Sequence, residues 1–227
     1  MLLWTYFALA FSALLPVVNP LSSALVFLGL VGLQPPEVYR SLARRIAINT
    51  IIFFSVIELI GFALLRFFGI SLPIVQVSGG LVVAAMGWSL LKEKDTHPDA
   101  EKMQAEAEAQ ENTRALEQKT FYPFTFPVTA GPGCIVVMLT LSAHAAKHNI
   151  TNSILAHAGL LLAVIVLSIL VYFFYAYAPA ITRAISPSTA HGILRVVAFI
   201  LLCIGVQIAW NGLSTLLGTL LHPAIAH

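Results

Sequence analysis

Six apolar runs, at about residues 5–33, 46–69, 72–92, 121–145, 152–178 and 193–218, are each long enough to cross a bilayer. An α-helix needs roughly 20 apolar residues to do so, and inside lipid every backbone N–H and C=O must find its partner within the protein. The runs therefore predict an all-α, polytopic membrane protein. Charge agrees: 10% of the 227 residues are charged and 59% are hydrophobic, whereas a soluble domain carries roughly 25% charged residues. Mean hydropathy is +0.89. Although "ALAFSALL" in the first run offers small residues of the kind found near signal-cleavage sites, nothing basic precedes it and the run continues to Leu33. It reads as a retained span.

The loops set an orientation. Arg40, Arg44 and Arg45 follow the first span, Lys92, Lys94, Lys102, Arg114 and Lys119 follow the third, and Arg183 follows the fifth, with Arg195 opening the sixth. The opposite loops hold only Arg66 and Lys147. Cytoplasmic loops collect Lys and Arg, so both termini are expected on the periplasmic side. The polar stretch from Lys92 to Lys119 holds eight of the ten acidic residues. It divides the chain into an N-terminal three-helix repeat (1–92), an acidic cytoplasmic linker (93–119) and a C-terminal three-helix repeat (120–227). Within the linker, Ala100–Leu116 suits a solvated helix with too few apolar residues to fold alone. A formal charge of +2, with the basic residues spread over short loops, leaves no nucleic-acid footprint. Cys134 and Cys203 lie in apolar runs and read as small core residues.

With three spans on each side of the linker, the two halves enter the membrane from opposite faces, and the first span of each is interrupted. In "LLPVVNPLSSALVFLG" the interruption falls at Pro16, Asn19, Pro20, Ser22 and Ser23; in "FTFPVTAGPGCIVVML" it falls at Pro127, Thr129, Gly131, Pro132 and Gly133. Proline has no N–H to donate and its ring clashes with the carbonyl four residues back, so two prolines this close are expected to unwind a turn. Irregular backbone persists at membrane depth only when buried in protein or facing a polar cavity. Paired broken spans in inverted halves mark a midplane transport site. The two breaks are expected to meet and bind a small polar solute between Asn19, Pro20, Ser22 and Ser23 on one side and Thr129, Gly131, Pro132 and Gly133 on the other. Freed amides near Ser22 and Gly133 would address a carboxylate, and freed carbonyls before the prolines an ammonium, which suits a zwitterion.

The stretches "PVVNPLSSALVFLGL", "GISLPIVQVSGGLVVAAMGW", "TAGPG" and "ILLCIGVQIAWNGL" resemble the MarC family of bacterial inner-membrane proteins, which includes the SnatA-type neutral amino-acid transporters. The resemblance covers nearly all six spans and both breaks, and leaves out the acidic linker. It implies a six-span fold of inverted repeats and movement of small neutral amino acids such as glycine and alanine. Many relatives resemble an Asp-Pro pair where this chain has Asn19-Pro20, and the amide cannot ionise. Proton coupling through that position is therefore not carried over.

Glu58 is the one acidic residue inside a span, a position typical of ion or proton pathways, and it is the candidate for coupling to protons or sodium. No cation within a span is an evident partner for it. His144 and His157 are expected at the membrane interface, with their polar tips wet. No cluster has zinc-ligand spacing, and no metal or cofactor is expected. Gly79, Gly80 and Gly87 read as close-packing positions, and Gln207 and Asn211 as a polar pair that either bonds across helices or lines the pathway. Trp4, Trp88 and Trp210 fit interfacial belts. The reading favoured is a secondary transporter and not an enzyme. The alternatives are an intramembrane enzyme, which would need a nucleophile and base at common depth, and a structural or regulatory subunit. No P-loop is present to couple ATP directly. A homo-oligomer is compatible with the sequence.

Overall fold

The computed structural model of the chain describes residues 1–32, 34–92, 113–146, 149–184 and 187–221. The helices are α1 (Leu2–Val18), α2 (Pro20–Val31), α3 (Pro36–Phe67), α4 (Leu72–Lys92), α5 (Thr113–Gln118), α6 (Pro132–Ala145), α7 (Ile150–Ala176), α8 (Ala178–Ala184) and α9 (Pro187–Leu221). Between α5 and α6 runs an irregular coil, Thr120–Thr129, with cis peptide bonds before Pro123 and Pro127. The described residues are all-helical apart from this coil and the turns.

Among the described residues four stretches are long and apolar enough to cross a membrane: Leu2–Val31, Leu72–Lys92, Ile150–Ala176 and Gly192–Gly218. The coil and α6 make a fifth if the pair, bent by 71°, is one span. The sixth run lies in α3, whose 32 residues also carry Arg40, Arg44, Arg45, Glu58 and Arg66. Large apolar side chains such as Leu59, Ile154, Val196 and Phe199 point outward, while Thr50, Glu58, Thr125, Thr129, Ser142 and Ser168 are buried. That distribution suits an apolar solvent, in which small and polar residues join helices and apolar ones face the lipid.

Two antiparallel helix pairs organise the bundle. In the first, α4 lies on α9 so closely that a methyl group added at Gly80 would run into the backbone of Gly205 and Ala209, and one at Gly87 into that of Ala198 and Leu202. Gly205 and Gly212 play the same part from α9. Gly79 instead admits Val136 of α6. In the second pair α3 packs on α7, while α1 lies against α7 and α6 against α3. Further contacts join α1 to α9 and α4 to α6, and α2 touches the coil.

Several expectations are corrected here. Pro16 does not interrupt α1, which runs to Val18; the chain leaves the helix at Asn19 alone. The linker expectation falls mostly on residues 93–112, outside the described residues. Its final part is not a solvated tether: α5 packs on α3 and the coil, Leu116 is 2% exposed, and Glu117 pairs with Arg45 at 3.0 Å. Leu116 supplies the apolar anchor and Arg45 the counter-charge that a short helix needs to dock. Cys134 is buried as expected, but Cys203 is exposed on α9. Gln207 and Asn211 are exposed and satisfy each other, Nε2 donating to Oδ1 at 2.9 Å, so they bond within one helix instead of across two.

Candidate functional site

The first break is a single residue that serves as two caps. Asn19 sits at φ 43°, ψ 70°, in the left-handed region that Asn tolerates better than other side chains. Its N–H donates to the Leu15 carbonyl at 2.9 Å and closes α1. Its Oδ1 accepts the Ser22 amide at 3.3 Å and opens α2, where Pro20 occupies the first helical position and forfeits a donor that would have had no partner anyway. Its carbonyl accepts from both the amide and the hydroxyl of Ser23, each at 3.0 Å. The interruption therefore costs few backbone hydrogen bonds, and the span continues to Val31.

The second break is larger. Tyr122 and Phe126 are extended, each before its cis proline, and the freed carbonyls are met by side chains: the Thr125 hydroxyl donates to Thr120 O and the Thr129 hydroxyl to Phe124 O, both at 2.7 Å. Gly131 is extended and Pro132 starts α6. A Cβ on Gly133 would stand 2.8 Å from Val83 Cγ2 and 3.2 Å from Val17 Cγ1, so the start of α6 is held against α4 and the end of α1.

The breaks meet at Tyr175. Its hydroxyl lies 2.7 Å from Thr129 Oγ1 and its ring stacks on Phe27 of α2 at 4.6 Å, so one buried residue on α7 touches both interruptions. Phe27 also meets Phe124 at 5.4 Å and Tyr39 at 6.3 Å. This aromatic cluster closes the junction on the side where α3 begins and α7 ends.

Two cavities lie at opposite ends of the α3–α7 pair. One, of about 200 Å³, is bounded by Arg44, Ala47, Ile48 and Ile51 of α3 and Ser168, Ile169 and Tyr172 of α7. The other, of about 470 Å³, is bounded by Glu58, Leu59, Ala63 and Arg66 of α3, Ser142 and Ala146 from α6 and the turn after it, and His157 of α7. In this larger cavity His157 Nδ1 lies 2.5 Å from Glu58 Oε1, and the Ser142 hydroxyl donates to the Glu58 carbonyl at 2.8 Å. The Glu58 side chain is fully buried and its Oε2 has no partner among the described residues, whereas His157 is 27% exposed. No group of side chains among the described residues has the makings of a metal site.

Broken spans, a buried carboxylate and six apolar runs leave the family to be decided by comparison. The pattern described as MarC family integral membrane protein matches residues 4–217. This chain belongs to the MarC family. Proteins named UPF0056 inner membrane protein MarC are similar to it along most of both lengths: that of Citrobacter koseri is 28% identical over 211 residues, and that of Salmonella paratyphi B 29% over 210, each covering 91% of this chain and 93% of the relative. The Escherichia coli K12 protein of that name is 28% identical over 208 residues. No solved structure matches. As a MarC-family protein the chain is a multi-pass protein of the inner membrane.

Of the residues expected at the site, Pro20, Ser23, Thr129, Gly131 and Gly133 are buried in the MarC-family chain and Asn19 and Ser22 are half-buried; Gly133 packs on Val83 and Val17, and Gly131 lies near Met86. Pro132 is exposed. The Ser22 amide is not a free donor for a carboxylate, because Asn19 Oδ1 already takes it. None of these residues lines either cavity. His157 is not a solitary interfacial histidine: it is the partner that Glu58 was expected to lack, while His144 is exposed near the end of α6. Tyr175, Phe27 and Ser142 were not foreseen. Tyr175 shares a buried stripe with Leu160, Ala163, Leu167 and Val171 at three- and four-residue spacing, yet α7 is apolar on every face and the stripe does not stand out in sequence.

Proposed function

We propose that the protein is a secondary transporter of small neutral amino acids, built as six spans in two inverted three-helix repeats, with its substrate site at the junction of the two breaks. The observation that carries this reading is Tyr175, which stacks on Phe27 after the first break and hydrogen-bonds Thr129 before the second. The packing supports the repeats. Exchanging α1–α2 with the coil and α6, α3 with α7, and α4 with α9 turns each main helix contact into another that is present. Under that exchange the two α3–α7 cavities also change places, one opening near each end of the pair as alternating access requires. The orientation of the termini towards the periplasm rests on the arginines and lysines of the loops.

In this scheme the aromatic cluster of Phe27, Tyr39, Phe124 and Tyr175 is the cytoplasmic gate in its closed position. When it parts, the Thr129 and Tyr175 hydroxyls exchange one another for the substrate, and Ser23 gives up the Asn19 carbonyl for it. Hydrogen bonds of about 0.5–1.5 kcal/mol each set the scale. Exchange of labelled alanine across liposomes with equal alanine on both sides tests the site: Tyr175→Phe keeps the ring and removes the hydrogen bond to Thr129, and is expected to change the exchange rate up to about tenfold. A rate equal to wild type in both Tyr175→Phe and Ser23→Ala would remove the junction from the substrate path.

A further inference from the structure

We infer that Glu58 and His157 form a proton-binding pair that loads from water in the 470 Å³ cavity and must be loaded before that cavity can close. The inference deepens the transport reading by naming its coupling ion, and rests on it for the coupling, though not for the proton site itself.

Three observations carry it. Glu58 and His157 belong to different helices and meet inside the bundle. Glu58 lies nine residues before the end of α3 and His157 seven after the start of α7, so the pair is about 10–13 Å from those helix ends. A carboxylate that deep usually marks an ion or proton path. The pair is also asymmetrically hydrated. Glu58 is sealed, with Oε2 unpartnered among the described residues, while His157 is 27% exposed towards the cavity. Nδ1 faces the carboxylate, which leaves Nε2 as the ring nitrogen within reach of water. Finally, Arg66 is the other charged group on the cavity wall among the described residues, and it is exposed. It sits eight residues further along α3, about 12 Å away, where its long side chain keeps its charge in water.

The proton balance is simple. With Glu58 ionised and His157 neutral, the pair bears one negative charge; a proton accepted from cavity water at His157 Nε2 makes an imidazolium whose Nδ1–H donates to Glu58 Oε1, and the net charge becomes zero. Sealing the cavity strips water from whichever form is present, and a net charge in a low-dielectric interior is penalised far more than a neutral, hydrogen-bonded pair. Closure therefore selects the loaded form. Ser142 binds the Glu58 carbonyl from α6, the helix that follows the second break, so the pair is fastened to the element that must move.

The test uses the full chain reconstituted in liposomes, with a proton gradient driving labelled alanine and, on the same samples, infrared titration of the Glu58 carboxylate stretching band, which shifts when the imidazolium forms beside it. Wild type is expected to accumulate alanine and to show a carboxylate band that responds to pH. Glu58→Gln is expected to lose the band and the accumulation. His157→Gln is expected to move the midpoint of the titration and to weaken accumulation relative to exchange. Should wild type move no alanine, the transport reading fails and the infrared titration alone judges the proton site. A band that survives Glu58→Gln, a midpoint that His157→Gln leaves in place, or pH-driven accumulation persisting in Glu58→Gln would each overturn the inference.

Discussion

Asn19 shows how much one residue can settle. A left-handed position costs most side chains about 1–2 kcal/mol, and an Asn cap contributes about 1 kcal/mol more than Ala. Asn19→Ala should therefore lower stability by about 2 kcal/mol, measured as thermal unfolding in detergent, with Asn19→Gly recovering the backbone part and Asn19→Asp close to wild type. Equal loss in all three would mean that the conformation at φ 43° is not what the residue provides. The sequence marks this position by the Asn-Pro pair, but assigns it to ligand binding, since a polar side chain in an apolar run looks the same whether it serves a ligand or the backbone. Gly133 shares that ambiguity. With a Cβ at 2.8 Å from a stiff valine, its enlargement strains the α4 contact as well as any pocket, so it is a poor probe of binding by itself. Glu58 was legible as the lone acid in a span; its partner was not, because residues 58 and 157 are brought together only by the α3–α7 crossing.

At the scale of elements, the α4–α9 seam is the most specific packing in the molecule. Lipid tails are as apolar as leucine, so close van der Waals contact, not water exclusion, joins membrane helices, and glycine permits it. Gly205→Leu should cost about 3 kcal/mol or more through overpacking against the α4 backbone, seen as loss of the monodisperse peak in size-exclusion chromatography or a lowered unfolding midpoint. Gly29→Leu, on an open surface where an added side chain meets nothing, should leave both unchanged. If the two variants behave alike, the seam is not what holds α4 to α9. Gly79, Gly80 and Gly87 pointed to close packing in sequence, but not to which helix each would meet. Gly80 and Gly87 meet α9 and Gly79 meets α6. The two broken spans look alike as sequence and differ in structure: the first has a capping residue in place and stays nearly continuous, while the second has extended residues at Tyr122 and Phe126 and bends by 71° where it meets α6.

For the whole molecule, the apolar runs predict four spans and the bent pair to within a few residues, because bilayer thickness fixes their length, while the run at 46–69 falls in α3, a longer and more charged helix. How the spans assemble is less visible, since α4, α6, α7 and α9 are apolar around their circumference and carry little record of which face is buried. The inverted arrangement rests on partner exchange among helices, and the substrate on the chemistry of the junction at Tyr175. Both bear on a single claim, that the protein moves small neutral amino acids through the meeting point of two broken helices. The most direct measurement is counterflow in liposomes holding the purified protein, with a panel of labelled neutral amino acids. Glycine and alanine are predicted to exchange readily, bulky neutral amino acids slowly, and empty liposomes not at all. A protein that remains folded in the bilayer and exchanges neither glycine nor alanine would contradict the account.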